Sequence, residues 1–128
     1  MKKFIALVAA ALVSASAYAG EFADISIQDV KATADAKSAV IIDVNGPGSY
    51  KAGHVPGALS WAEIKSDLAS KLPADKSTPI IAYCGNPKCG AYAAAAKAAK
   101  KLGYTNVKHM SAGIAGWKKA NMPTEAGK

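Results

Sequence analysis

Pro79-Ile80-Ile81-Ala82-Tyr83-Cys84-Gly85-Asn86-Pro87-Lys88-Cys89-Gly90 is an apolar run that breaks at a cysteine into a tight polar loop. A short run without polar alternation reads as a strand buried on both faces, over 79–83, with proline tolerated at its first residue. Beyond the loop, 90–102 is alanine-rich and ends at Gly103, which reads as a helix stopped by glycine. Its Tyr92, Ala95, Ala96, Ala99 and Leu102 make an apolar stripe, while Lys97, Lys100 and Lys101 share a solvated face. Upstream, 39–44 (Ala-Val-Ile-Ile-Asp-Val) is a second buried strand, ending in the turn-forming Asn45-Gly46-Pro47-Gly48. Ser26 caps a helix over 27–34, with Asp29 as its acidic partner three residues on. A short strand at 58–60, a helix over 62–72, a strand at 107–110 and a helix over 114–120 complete the pattern. Strands alternating with helices imply an α/β fold with a mainly parallel central sheet.

The first residues have a different character. Lys2-Lys3 precedes an apolar run over 4–13, and Ala17-Tyr18-Ala19 places small residues at −3 and −1 of a cut before Gly20. That is the layout of a signal peptide over 1–19, and the apolar run is too short to span a bilayer. The expectation is an exported protein, periplasmic or secreted, with one domain over 20–128 and no stable membrane insertion once the leader is removed. Without Lys2 and Lys3, fourteen lysines face nine acidic residues, and all sixteen basic residues of the full chain are lysine. The lack of arginine argues against nucleic-acid readout, for which bidentate arginine is the commonest specific device. A modest lysine excess suits a soluble protein that attracts small anions.

Cys84 and Cys89 are the only cysteines. A bridge between them would close a six-residue loop, worth about 2 kcal/mol in the chain-entropy model. His54 and His109 lack ligand spacing to this pair, so no metal is expected, and Gly90 after Cys89 excludes haem attachment; no cofactor is implied. Ligands of parallel sheets bind beyond the strands' carboxyl ends, which is where Cys84 stands. A loop there that feeds a helix aims amide groups and the positive end of the helix dipole at its centre, favouring a thiolate. An unperturbed thiol is about 3% ionised at pH 7, and lowering its pKa by two units gives roughly three quarters. Cys84 is therefore the candidate nucleophile and Cys89 a candidate resolving thiol. Gly85, Asn86, Lys88, Cys89 and Gly90 form the candidate substrate-binding loop, suited to an anion. His54 in Gly53-His54-Val55-Pro56-Gly57 reads as a turn-fixing residue, His109 as structural, Asp43 as a loop brace, and Trp61 and Trp117 as core or near-core packing.

Four segments in order resemble the single-domain rhodanese family of sulfurtransferases. Ile42-Asp43-Val44 followed by 50–58, with its Gly-His-Val-Pro-Gly-Ala core, is similar to the first family signature. Tyr83-Cys84 resembles the segment with the catalytic cysteine. The stretch 102–107 and then Ala112-Gly113-Ile114, Trp117 and Met122-Pro123 resemble the closing signature. The resemblance implies a mainly parallel sheet with helices on both faces, and a Cys84 persulfide, formed from an anionic donor such as thiosulfate or polysulfide and passed to a thiol, a protein or another nucleophile. Asn45 and Ser49 replace a frequent arginine–acid pair, Cys89 stands near the place of a loop arginine that helps bind thiosulfate, and the run from Cys84 to Gly103 is about two residues longer than usual. A thiol–disulfide redox or sulfur-carrier protein using Cys84 and Cys89, and a non-catalytic rhodanese-like module, are the alternatives. A phosphatase on this fold would want His before the cysteine and Arg after the loop, where this chain has Tyr83 and no arginine.

Overall fold

Ile80, Ile81, Ala82 and Tyr83 are all fully buried, as a strand covered on both faces requires. A computed structural model describes residues 22–127; the expected leader lies outside the described residues. Five strands, β1 (Ala23–Asp24), β2 (Val40–Asp43), β3 (Leu59–Ser60), β4 (Ile80–Tyr83) and β5 (Val107–His109), form one sheet in the order β1-β5-β4-β2-β3. Every pairing is parallel. The helices are α1 (Ile27–Ala36), α2 (Pro47–Ala52), α3 (Trp61–Ile64), α4 (Leu68–Lys71), α5 (Tyr92–Lys101) and α6 (Gly113–Lys119).

Side chains that alternate along each strand divide the core in two. Ile42, Ile80 and Ala82 face one way and pack with Ile64, Leu68 and Leu72 and with Ala95, Ala96 and Ala99 of α5. Ile41, Ile81 and Tyr83 face the other way, against Val30 of α1, Val55, Ala58, and Ile114 and Trp117 of α6. The α5 stripe faces the sheet as its spacing predicts, and alanine at three of its positions brings that helix close.

Local chemistry explains the differences from the sequence expectations. The 62–72 helix is broken by a single 3-10 turn, Lys65–Asp67. Ser66 and Asp67 are weak helix formers, yet Ile64, Leu68 and Leu72, four residues apart, all stay buried. Gly46 caps α2 with φ +95°, and Pro47 opens it, so the Gly-Pro-Gly stretch starts a short helix instead of a bare turn. The two-residue edge strand β1 has no local pattern and exists through its pairing with β5. Ser26 does cap α1, accepting the Asp29 amide at 3.0 Å.

The topology makes a crevice. After β2 the chain turns to the face holding Val55 and Ala58, whereas after β4 it turns to the face holding α5. Connections leaving adjacent parallel strands toward opposite faces open a gap at the strands' carboxyl ends, the usual place for ligands. Cys84 follows β4 on one side of that gap and Asn45 follows β2 on the other.

Candidate active site

Cys84 is 1% exposed and lies directly beyond the central strand. The Tyr92 amide, at the first residue of α5, donates to Cys84 Sγ at 3.0 Å. Sulfur thus meets an oriented N–H at the positive end of a ten-residue helix. The backbone around it is fixed from the opposite face, where the Ile114 and Ala115 amides at the start of α6 donate to the Cys84 and Gly85 carbonyls, both at 2.9 Å. Gly113 makes this approach: it has φ +68°, and a Cβ there would lie 2.5 Å from the Gly85 carbonyl carbon.

The loop curls back through Asn86. Its side-chain oxygen accepts the Lys88 amide at 2.9 Å and its carbonyl accepts the Cys89 amide at 3.1 Å. This turn brings the Cys89 Cα to 6.0 Å from the Cys84 Cα, and the two cysteines form a disulfide. Gly90 accepts from Ala93 at the start of α5. The amides of Gly85, Asn86, Gly90 and Ala91 have no backbone acceptor among the described residues. Lys88 is exposed, with no carboxylate in ion-pair range among the described residues. The nucleophile candidate, the second thiol and the loop residues expected from sequence therefore share one turn.

Asp43 is also 1% exposed and serves as a brace. It accepts the Asn45 amide at 2.8 Å and the Tyr83 hydroxyl at 2.6 Å, and that hydroxyl accepts the Val55 amide at 3.0 Å. Burial, reinforced by the Asp43 charge, raises the Tyr83 pKa, so the phenol remains the donor. The segment after β2 and the last residue of β4 are tied through this one carboxylate. His54, buried, is held at Nδ1 by the Tyr50 carbonyl at 2.7 Å and stacks on the Tyr50 ring at 3.7 Å. Its backbone bridges to Glu125, whose carboxylate also accepts the Gly57 amide at 3.0 Å. His54 is a turn-fixing residue by every contact it makes.

Sequence reasoning missed an aromatic stack beside the sulfur. Tyr92 lies flat on His109 at 3.4 Å and edge-on to Phe22 at 6.2 Å, so its ring is clamped while its amide holds Cys84. His109 Nε2 is buried without a partner, and desolvation lowers the pKa of this imidazole, opposed by the Asp24 charge. Only the proximity of Tyr92 to the cysteine loop hinted at this in the sequence. Asn45 Nδ2 is likewise buried without a partner, and Asn45 Oδ1 would lie 3.4 Å from a Cβ on Gly85. Among the described residues no three His, Cys, Asp or Glu side chains gather as metal ligands.

Comparison with known proteins bears on the family and the fold. Thiosulfate sulfurtransferase GlpE of Pseudoalteromonas translucida is 35% identical over 101 residues, covering 77% of this chain and 91% of that protein. The HTH-type transcriptional regulator Rv0324 of Mycobacterium tuberculosis is 33% identical over 95 residues, covering 73% of this chain, which spans only 40% of the regulator's length. The crystal structure of the BH2092 protein from Bacillus halodurans superposes with a TM-score of 0.72 at 27% identity, covering 94% of this chain and 85% of that one. The Rhodanese-like domain model matches residues 26–120, and the chain belongs to the rhodanese-like domain family.

Proposed function

We propose that the protein is an exported sulfurtransferase that carries sulfane sulfur on Cys84. The observation that carries this reading is the Tyr92 amide on Cys84 Sγ at the start of α5, beyond the central strand. An amide there stabilises a thiolate, and later a persulfide anion, without a general base; His54, held at Nδ1 by the Tyr50 carbonyl, is not needed as one. In the reduced protein the Cys84 thiolate attacks the outer sulfur of thiosulfate, forming Cys84–S–S⁻ and releasing sulfite. A polysulfide would react alike, losing a shortened chain. The open amides of Gly85, Asn86, Gly90 and Ala91 and the Lys88 cation supply the anion contacts of a chain that has no arginine. A thiol or another nucleophile then takes the sulfur in a second step.

Treated with thiosulfate or polysulfide, reduced protein should take one sulfur atom onto Cys84, retained as added mass in Cys89→Ser, and Cys84→Ser should gain none. A sulfur adduct that persists in Cys84→Ser, or its absence from every Cys84-containing form with both donors, overturns the proposal. Export is tested by the intact mass of the protein from its native host: the chain should begin at Gly20, and a mature species retaining Met1 refutes it.

The disulfide gives a second reading some weight, a thiol–disulfide redox protein in which Cys89 resolves Cys84. On that reading Cys89→Ser abolishes turnover with dithiols and no sulfur adduct forms at any stage.

A further inference from the structure

We propose that Cys89 discharges the Cys84 persulfide as hydrosulfide, so that the protein reduces sulfane sulfur and is returned to its working state by a dithiol partner. This rests on the sulfurtransferase reading above and goes beyond it, because it names the acceptor as a residue of the same loop.

The loop is shaped for this by bonds that do not involve sulfur. The Asn86 turn accepts the amides of Lys88 and Cys89, and the Cys84 and Gly85 carbonyls are anchored on α6. Reduction of the disulfide leaves these contacts in place, so the Cys89 thiol remains beside the atom it was bonded to. That atom, Cys84 Sγ, belongs to a residue only 1% exposed, while Cys89 is half-buried at the loop surface. An external thiol must reach past the loop, whereas Cys89 is already in place. Well-oriented intramolecular groups gain effective concentrations far above those of a free thiol.

The step balances. The Cys89 thiol attacks Cys84 Sγ, the inner sulfur of Cys84–S–S⁻, and the bond to the outer sulfur breaks. The outer sulfur leaves with the electron pair of that bond and the Cys89 proton, as HS⁻. It is thereby reduced, and the two cysteines are oxidised to the disulfide seen in the structure. An incoming dithiol then attacks Cys89 Sγ, the more accessible sulfur, and expels Cys84 as the thiolate stabilised by Tyr92. Its second thiol resolves the mixed disulfide on Cys89, and the partner leaves oxidised. For thiosulfate the complete cycle consumes one dithiol and yields sulfite, hydrosulfide, a proton and one partner disulfide. A reaction that delivers reducing equivalents through protein dithiols must therefore supply this site, and one that uses hydrosulfide must follow it.

The test is a single turnover. Fully reduced protein is freed of reductant, mixed with one equivalent of thiosulfate, and followed by hydrosulfide assay and intact mass. Wild type should release about one hydrosulfide per chain and end two hydrogens lighter than the reduced form, with no retained sulfur. Cys89→Ser should keep the added sulfur and release less than about a tenth as much hydrosulfide. Cys89→Ala should behave likewise, separating loss of the thiol from any effect of the serine hydroxyl. A wild-type persulfide that lasts as long as that of Cys89→Ser, with no hydrosulfide, overturns the discharge step and leaves the sulfurtransferase reading standing. Failure of both Cys89 variants and wild type to take sulfur from either donor overturns that reading and the discharge step with it.

Discussion

Replacing Gly113 by alanine should damage the cysteine loop from the far side of the sheet. The new Cβ would lie 2.5 Å from the Gly85 carbonyl carbon, 2.6 Å from its oxygen and 2.7 Å from the Asn86 nitrogen, all backbone atoms. No rotamer change relieves such a contact, so α6 and the loop must separate. Overpacking of this kind costs about 1–3 kcal/mol. The left-handed conformation, φ +68°, adds roughly 1–2 kcal/mol for a residue with a Cβ. Separation also stretches the two 2.9 Å bonds from Ile114 and Ala115, each worth about 1 kcal/mol. Alanine's lower entropy in the unfolded chain returns up to about 1 kcal/mol in the opposite sense. The net expectation is a loss of about 3–7 kcal/mol in urea unfolding, with slower alkylation of reduced Cys84 because its backbone is no longer held. Gly48→Ala, whose Cβ meets nothing within 4 Å, is the control and should be neutral or up to about 1 kcal/mol stabilising. Gly113→Asn separates the two causes, since asparagine tolerates the left-handed region but carries the same Cβ. A Gly113→Ala loss below about 1 kcal/mol, or wild-type stability in Gly113→Asn, would refute the close-approach argument.

Tyr83→Phe leaves the buried Asp43 carboxylate and the Val55 amide without their shared partner and should cost about 3 kcal/mol in urea unfolding; a loss under about 1 kcal/mol would mean that water replaces the hydroxyl. Because burial holds His109 below the ordinary imidazole value, the unfolded chain takes up its proton first, and stability should fall as pH drops through about 6.5 and level off below the folded value. His109→Phe should preserve the stack on Tyr92 and remove that part of the slope, and an unchanged pH profile of urea midpoints would exclude the assignment. Lys88→Ala should slow sulfur uptake from thiosulfate at low ionic strength, with the difference shrinking toward about 0.15 M salt, as screening of an exposed cation demands; a salt-independent defect would point to a structural role.

The parts of the fold that sequence made legible are those in which local pattern and burial coincide. Ile80 to Tyr83 has no polar interruption because both faces are covered, and the α5 stripe repeats at helical spacing because one face meets the sheet. What stayed hidden depends on partners distant in sequence. β1 is two residues long and is defined by β5, more than eighty residues on. The Tyr83–Asp43–Val55 connection joins residues 40 and 28 positions apart, and nothing in a buried tyrosine's neighbours announces that bond. The His109–Tyr92 stack arises because β5 lies beside β4 while α5 starts above both. Asp43 as a brace and His54 as a turn-fixing residue were legible from their places at a strand end and in a glycine-flanked turn, and their hydrogen bonds agree. The state of the cysteine pair was open, since a four-residue spacing permits a bridge without requiring one; the Asn86 turn brings the two together.

Under the proposed function, the same turn lets anion capture and thiol chemistry share so short a loop. In a chain without arginine, no bidentate cation is present to hold a sulfonate in place, and a lysine offers only a hydrated point charge on a flexible stem. Backbone amides and the start of α5 must then supply the directional contacts, and these act on whatever occupies the loop centre: donor anion, persulfide or thiolate. Such contacts select for charge and size more than for the identity of the donor. Cys89 can therefore enter the loop centre without displacing a donor-specific side chain. On the proposed function, Gly113, Tyr92 and, through Tyr83, the Asp43 brace act on the nucleophile, while the arc from Gly85 to Gly90 decides what meets it. Changes in that arc can alter donor and acceptor with little effect on the fold, whereas changes at the three supports should disturb both together.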